Sequence, residues 1–157
     1  MSYFCISIMD DKTDIQVRQL EDGRREVLDP VRRRWVALTP EEWVRQQTIR
    51  LLHDRYGYPL EIMQVEGAIT FNGQSRRCDI VVYDTAGHPQ MIVECKQPEV
   101  PINQKVCDQA CRYNTVLQVP LLFLTNGRQQ IVIEIDYLNR SLRQLPEVPF
   151  FLNNVNG

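Results

Sequence analysis

Residues 120–125, PLLFLT, carry four successive apolar side chains, Leu121, Leu122, Phe123 and Leu124, directly after a proline. A strand turns alternate side chains to opposite faces, so an unbroken apolar run belongs to a strand covered on both. That requires a layer on each side of a sheet. The rest of the chain has to supply the layers.

It does so in a readable order. In LTPEEWVRQQTIRLLHDRYGYP, Thr39 is placed as an N-cap, Pro40 fits the first helical position, and Glu42 stands where it closes a capping box. Val44, Leu51, Leu52 and Tyr56 recur at helical spacing, and Gly57 and Pro59 end the helix. Three strand-like stretches follow, at about 62–71, 77–84 and 90–96, separated by the turn signals NGQ and DTAGH. A second helix is expected over about 102–118, then the strand LLFLT closed by Asn126-Gly127, then the strand QQIVIEID. Before all of this, residues 1–38 read as a β-rich lead in which DIQVRQL and RREVLD flank the turn EDG. The expectation is one domain over 1–157: an N-terminal extension 1–38, a core 39–136 and a tail 137–157. Its class is α/β (α+β), with a mixed central sheet.

Composition narrows the surroundings. No apolar run approaches the roughly 18 residues needed to span a bilayer, so no membrane role is expected. The stretch MSYFCISIMDDKTD lacks a basic start and meets Asp10 and Asp11 early, so it does not read as a signal peptide; the cytoplasm is the expected location. Cys5, Cys78, Cys95, Cys107 and Cys111 form no CxxC pair and read as buried reduced thiols. Cys107 and Cys111 lie one helical turn apart, but a zinc site needs two more ligands, and His53 and His88 read as surface or structural residues. The net charge of −2 argues against a surface that coats nucleic acid throughout. Arginine is concentrated locally, however, at Arg24, Arg25, Arg32, Arg33, Arg34, Arg45, Arg50 and Arg55, and again at Arg76 and Arg77. Acids interleave the first group, so a solvated mixed face and a basic rim beside an acidic site both stay open.

The acidic site is suggested by MIVECKQP, where an apolar strand ends in Glu94 and Lys96. If the preceding hairpin turns at Ala86-Gly87, Asp79 falls opposite Glu94, with Cα atoms about 4.5–5.5 Å apart on one face. Alternation adds Lys96 to that face and sends Ile80, Val82, Val93 and Cys95 to the other. Two carboxylates so close repel unless a cation lies between them. Oxygen donors of this kind suit Mg²⁺ or Mn²⁺, with the Cys95 carbonyl as a further ligand and Lys96 beside an attacked phosphodiester. A plain ion pair from Lys96 to Glu94 or Asp79 is the competing reading for any isolated E-x-K.

The pair "CD" (78–79), a gap of about fifteen residues and "ECK" (94–96) resemble the PD-(D/E)xK nuclease superfamily, with Cys78 where that pattern has proline. LTPEEWVRQ, GYP, RRCDIVVYD, IVECKQP, QACRYN and LTNG, in that order, more specifically resemble the N-terminal nuclease domain of type I restriction enzyme R subunits. The resemblance implies a restriction-endonuclease-like core of helix, three-strand meander, helix and strand. It also implies Mg²⁺-dependent (or Mn²⁺-dependent) endonuclease cleavage of DNA, with Asp79 and Glu94 as metal ligands and Lys96 as the catalytic lysine. Glu42 would be the first-helix glutamate of such sites, or else only the helix cap. Gln109 and Tyr113 match a Q-x-x-x-Y pattern that borders the active site, and Arg77 would join them in holding substrate. These 157 residues contain no GxxxxGK[ST] phosphate loop and no DNA-reading motif, so a protein partner supplying specificity or motor function is expected alongside DNA. A non-catalytic nucleic-acid-binding or interaction module of the same fold is the alternative, and RNA or branched DNA are alternative substrates.

Overall fold

The computed structural model describes residues 15–152, so Cys5 and the N-terminal leader question lie outside the described residues. The lead forms a three-stranded antiparallel sheet of β1 (Val17–Gln19), β2 (Arg25–Asp29) and β3 (Arg34–Ala37). The third strand was not anticipated: its RRRW start looks like part of an arginine cluster rather than a strand. Helix α1 (Pro40–Arg50) follows, with the Thr39 hydroxyl accepting from the Glu42 N–H at 3.0 Å. The expected capping box is only half formed, because the Glu42 carboxylate turns to Arg32 and Arg45 instead of back to the cap. A π-helical turn, Leu51–Arg55, extends the helix to Gly57, which takes φ +80°.

The stretch expected as one strand over 62–71 divides into β4 (Met63–Val65) and β5 (Ala68–Phe71). Between them Glu66 adopts φ +55°, and a Cβ on Gly67 would lie 2.6 Å from the Gln64 side chain, so any larger residue there requires Gln64 to shift. β5 leaves the main sheet and pairs with β6 (Gln74–Arg77) around Asn72 and Gly73, whose φ values of +49° and +77° match a type I′ turn. The stretch 77–84 divides likewise: the chain bends at Cys78-Asp79 before β7 (Ile80–Tyr83).

β8 (Pro89–Cys95), α2 (Gln104–Leu117), β9 (Leu121–Thr125), β10 (Gln130–Asp136) and β11 (Ser141–Leu145) complete the chain. Six strands form the central sheet in the order β11-β10-β9-β8-β7-β4. β8 and β9 are parallel, with α2 as the crossover, and the other pairs are antiparallel. The fold is therefore mixed α+β with a mixed central sheet. SLRQL carries no sequence signal for β11, because it is almost wholly exposed and has no continuous apolar face.

The β7–β8 register is the expected one, with Ile80 opposite Val93 and Val82 opposite Met91. The turn is different: the register shifts beyond Val82, and Asp84 closes the loop by accepting from the N–H groups of Ala86 and His88. Strand alternation divides the core. Ile80, Val82, Met91, Val93, Cys95 and Phe123 pack with Val44, Ile49 and Leu52 on the α1 side. Val81, Ile92, Leu122 and Leu124 pack with Cys107, Ala110 and Leu117 on the α2 side. PLLFLT is covered on both faces, as its pattern demanded, and Leu122, Phe123 and Leu124 are fully buried. Each such side chain contributes about 1.5–3 kcal/mol by leaving water. The central strands are thus stiff enough to fix what their ends carry.

Candidate functional site

β7 begins only at Ile80, two residues short of the position that would face Cys95, where β8 still offers an N–H. The side chain of Asp79 fills the gap: its Oδ2 accepts from the Cys95 N–H at 2.9 Å. The bend holding Asp79 is pinned by main-chain bonds from Glu66 N–H to the Asp79 carbonyl (2.9 Å) and from Cys78 N–H to the Gly67 carbonyl (2.8 Å). Its other oxygen, Oδ1, accepts from Arg45 of α1 at 2.8 Å.

Glu94 is the last but one residue of β8 and is buried. By alternation with Ile92 it faces the α2 side, where Oε1 accepts from the Arg76 guanidinium of β6. Its Oε2 has no hydrogen-bond donor among the described residues. Burial raises the pKa of the Glu94 carboxyl; the charges of Arg76 and Lys96 pull it down, and Asp79 pushes it up. Asp79, Glu94 and Lys96 are therefore electrostatic neighbours at one strand end, but the two acids do not share one face as expected: the bend at Cys78-Asp79 lets Asp79 turn to Arg45 of α1, whereas Glu94 faces the α2 side. Lys96 is half-buried and makes no ion pair within 4.0 Å among the described residues, and its N–H donates to the Thr125 carbonyl at 2.9 Å. The ion pair from Lys96 to Glu94 or Asp79, the competing reading of E-x-K, does not form; Arg76 and Arg45 take those places.

The first-helix side is a charge network. Asp29, fully buried, accepts from the N–H groups of Val31 and Arg32, from Arg32 Nε at 2.7 Å and from Gln46 Nε2 at 2.9 Å. Arg32 also pairs with Glu42, and Glu42 accepts from Arg45 at 3.0 Å. Burial opposes the charge on Arg45, but Asp79 and Glu42 outweigh it, and its pKa is raised. Glu42 thus reaches Asp79 through a guanidinium rather than directly. Glu41, Glu42, Arg45, Glu66 and Gln97 line an open cleft of ≈410 Å³.

On the opposite side, Gln109 and Tyr113 lie exposed on α2 and line a groove of ≈590 Å³ with Gln74, Lys105, Arg112 and Val116. The Arg76 guanidinium sits 4.5 Å above the Tyr113 ring. Arg77 points elsewhere: it is exposed and pairs with Glu66 at 3.0 Å. Cys95 presents only its main chain to the site, because its thiol is buried beside Thr48. Sequence reasoning missed Arg32, Arg45, Glu66 and Arg76. Only Arg45 carried a signal, three residues after Glu42 on one helix face.

Among the described residues no three His, Cys, Asp or Glu side chains gather as a metal-ligand group. The donors at the strand end are two carboxylates and a main-chain carbonyl, all oxygens, and each acid already attracts a cationic side chain. Such a donor set fits a hard divalent cation that keeps several waters.

The family model for the type I restriction enzyme R protein N terminus (HSDR_N) matches residues 40–149. No curated protein matches the chain. Among solved structures, a fragment assigned as an HsdR subunit of a type I restriction enzyme from Vibrio vulnificus YJ016 is 22% identical, with a TM-score of 0.45. The match covers 68% of this chain but only 23% of that one. A protein of the DUF820 group from Anabaena variabilis ATCC 29413, assigned as a nuclease, is 13% identical, with a TM-score of 0.45; 83% of this chain and 80% of that one are covered.

Proposed function

Because the chain belongs to the family of type I restriction enzyme R protein N-termini, we propose that it is a Mg²⁺- or Mn²⁺-dependent endonuclease domain that hydrolyses DNA phosphodiester bonds. The observation that supports this reading is that Asp79, Glu94 and Lys96 lie within electrostatic range where β8 ends, with the acids held by arginines rather than by the lysine. Asp79, Glu94 and the Cys95 carbonyl would hold the cation. When bound, it supplies Lewis-acid polarisation of a phosphate and a more acidic water.

The chain's own groups do the rest. The Cys95 N–H and Arg45 hold the Asp79 carboxylate in one orientation. The Lys96 ammonium, half-buried and without an ion-pair partner among the described residues, orients the attacking water and balances charge developing on the phosphate. Lys105 and Arg112 steer a phosphate backbone along the α2 groove, where Tyr113 and Gln109 contact it. Glu42 positions Arg45 instead of touching substrate. A protein partner would add specificity or motor function.

The non-catalytic binding module remains the second reading, favoured by the arginine already on each carboxylate. Incubation with plasmid and single-stranded DNA in Mg²⁺, Mn²⁺ or EDTA, beside Lys96→Ala, separates the two. Metal-dependent nicking that Lys96→Ala lowers by about 100-fold or more is expected. Cleavage that persists in EDTA, or is unchanged in Lys96→Ala, overturns the mechanism. Binding without any cleavage favours the module.

A further inference from the structure

Arg76 has an unusual set of surroundings. Its Nη2 holds Glu94, its guanidinium lies 4.5 Å above the half-exposed Tyr113 ring, and its Nη1 is buried with no hydrogen-bond partner among the described residues. It belongs to the β5–β6 hairpin, outside the central sheet. The ring beneath it is also a wall of the groove that contains Lys105 and Arg112. One side chain therefore stands between the carboxylate and the basic groove, with an aromatic surface along which a planar cation can slide.

We propose that Arg76 is an exchangeable counter-ion: it neutralises Glu94 when no divalent cation does, and moves along Tyr113 to a substrate phosphate when one takes the carboxylate. This rests on the metal-dependent reading above. A guanidinium and a divalent cation on the same carboxylate repel, so binding one displaces the other. A displaced guanidinium gains phosphate oxygens matched to its fork, which the unpartnered Nη1 lacks now. Substrate and metal then favour each other's binding, because each takes one end of the exchange.

The test is direct Mn²⁺ titration by calorimetry, with anisotropy of a short DNA duplex in Ca²⁺, on wild type, Arg76→Met, Arg76→Lys and Tyr113→Leu. Arg76→Met should bind Mn²⁺ about tenfold or more tightly. It should bind DNA more weakly, with a salt slope reduced by about one. Arg76→Lys, a point charge without the fork, should fall between, and carries the test if Arg76→Met does not fold. Tyr113→Leu should weaken DNA binding while leaving Mn²⁺ affinity within about twofold. Unchanged Mn²⁺ affinity in both Arg76 variants, with wild type binding the ion, overturns the exchange and spares the functional reading. Binding seen only once Arg76 is replaced supports the exchange. Failure of every variant to bind Mn²⁺ overturns both.

Discussion

Asp79 and Glu94 lie across one hairpin, yet they are held by different kinds of structure. Asp79 is fixed by a main-chain N–H of a buried strand and by Arg45, which Glu42 holds, which Arg32 holds, which Asp29 holds. That chain runs from the N-terminal sheet through α1 to the strand end. Glu94 is held by one arginine from a small hairpin, resting on a half-exposed tyrosine. The first acid is part of the scaffold, whereas the second is tied by a contact that another cation can replace. A site that must bind and release a metal with substrate needs both properties, a rigid reference point and a ligand that can exchange partners.

The sharpest way to break this contrast is at its buried end. Asp29→Ala leaves Arg32 and Gln46 inside the protein without their acceptor. Urea unfolding should report a loss of about 3–5 kcal/mol, typical of breaking a buried pair from one side. A loss under about 1 kcal/mol would mean that the network is solvated and the scaffold picture is wrong. Next comes Arg45→Met, which leaves Glu42 with Arg32 and Asp79 with only the Cys95 N–H, and should cost about 1–3 kcal/mol. Because Asp79 then loses one of its two restraints, Mn²⁺ affinity should fall, the reverse of the gain expected for Arg76→Met. Equal signs for the two variants in the same titration would dissolve the contrast. Arg76→Met itself should cost only about 1 kcal/mol of stability, since Lys96 remains near Glu94.

The parts of this arrangement visible in the sequence are those set by local pattern. PLLFLT demanded two covered faces, Thr39-Pro40 marked the helix start, and apolar alternation in IVV and MIV selected the β7–β8 register. What stayed hidden depended on breaks in parity. Glu66 in the left-handed region and the bend at Cys78-Asp79 each reset which side chains face which layer. Counting back from Glu94 through an unbroken strand therefore favours Arg77 for the site, whereas β6 delivers Arg76. The contacts of Arg32 with Glu42 and Arg45 with Asp79 join distant segments, and no spacing rule reports those. β11 escaped because an exposed edge strand needs no apolar face.

The contrast extends to pH, with smaller effects. Burial alone would raise the Asp29 carboxyl, but the Arg32 N–H and guanidinium and the Gln46 amide outweigh it, and its pKa lies below the ordinary aspartate value. A depressed carboxylate stabilises the fold above its unfolded pKa, about 3.9, and that contribution is lost as pH falls through the folded value. Asp29→Asn should accordingly flatten the acid limb of a stability–pH curve. Glu94 has the opposite sign, because burial outweighs Arg76 and Lys96 and raises its pKa. Its contribution is fully present below the unfolded value, about 4.3, and is lost as pH rises through the folded one. Relative to wild type, Glu94→Gln should therefore gain stability as pH is raised from about 4 to 7, read from urea midpoints at each pH. A difference that stays flat across that range would place Glu94 in as settled an environment as Asp29. The exchangeable half of the site would then have to be sought elsewhere.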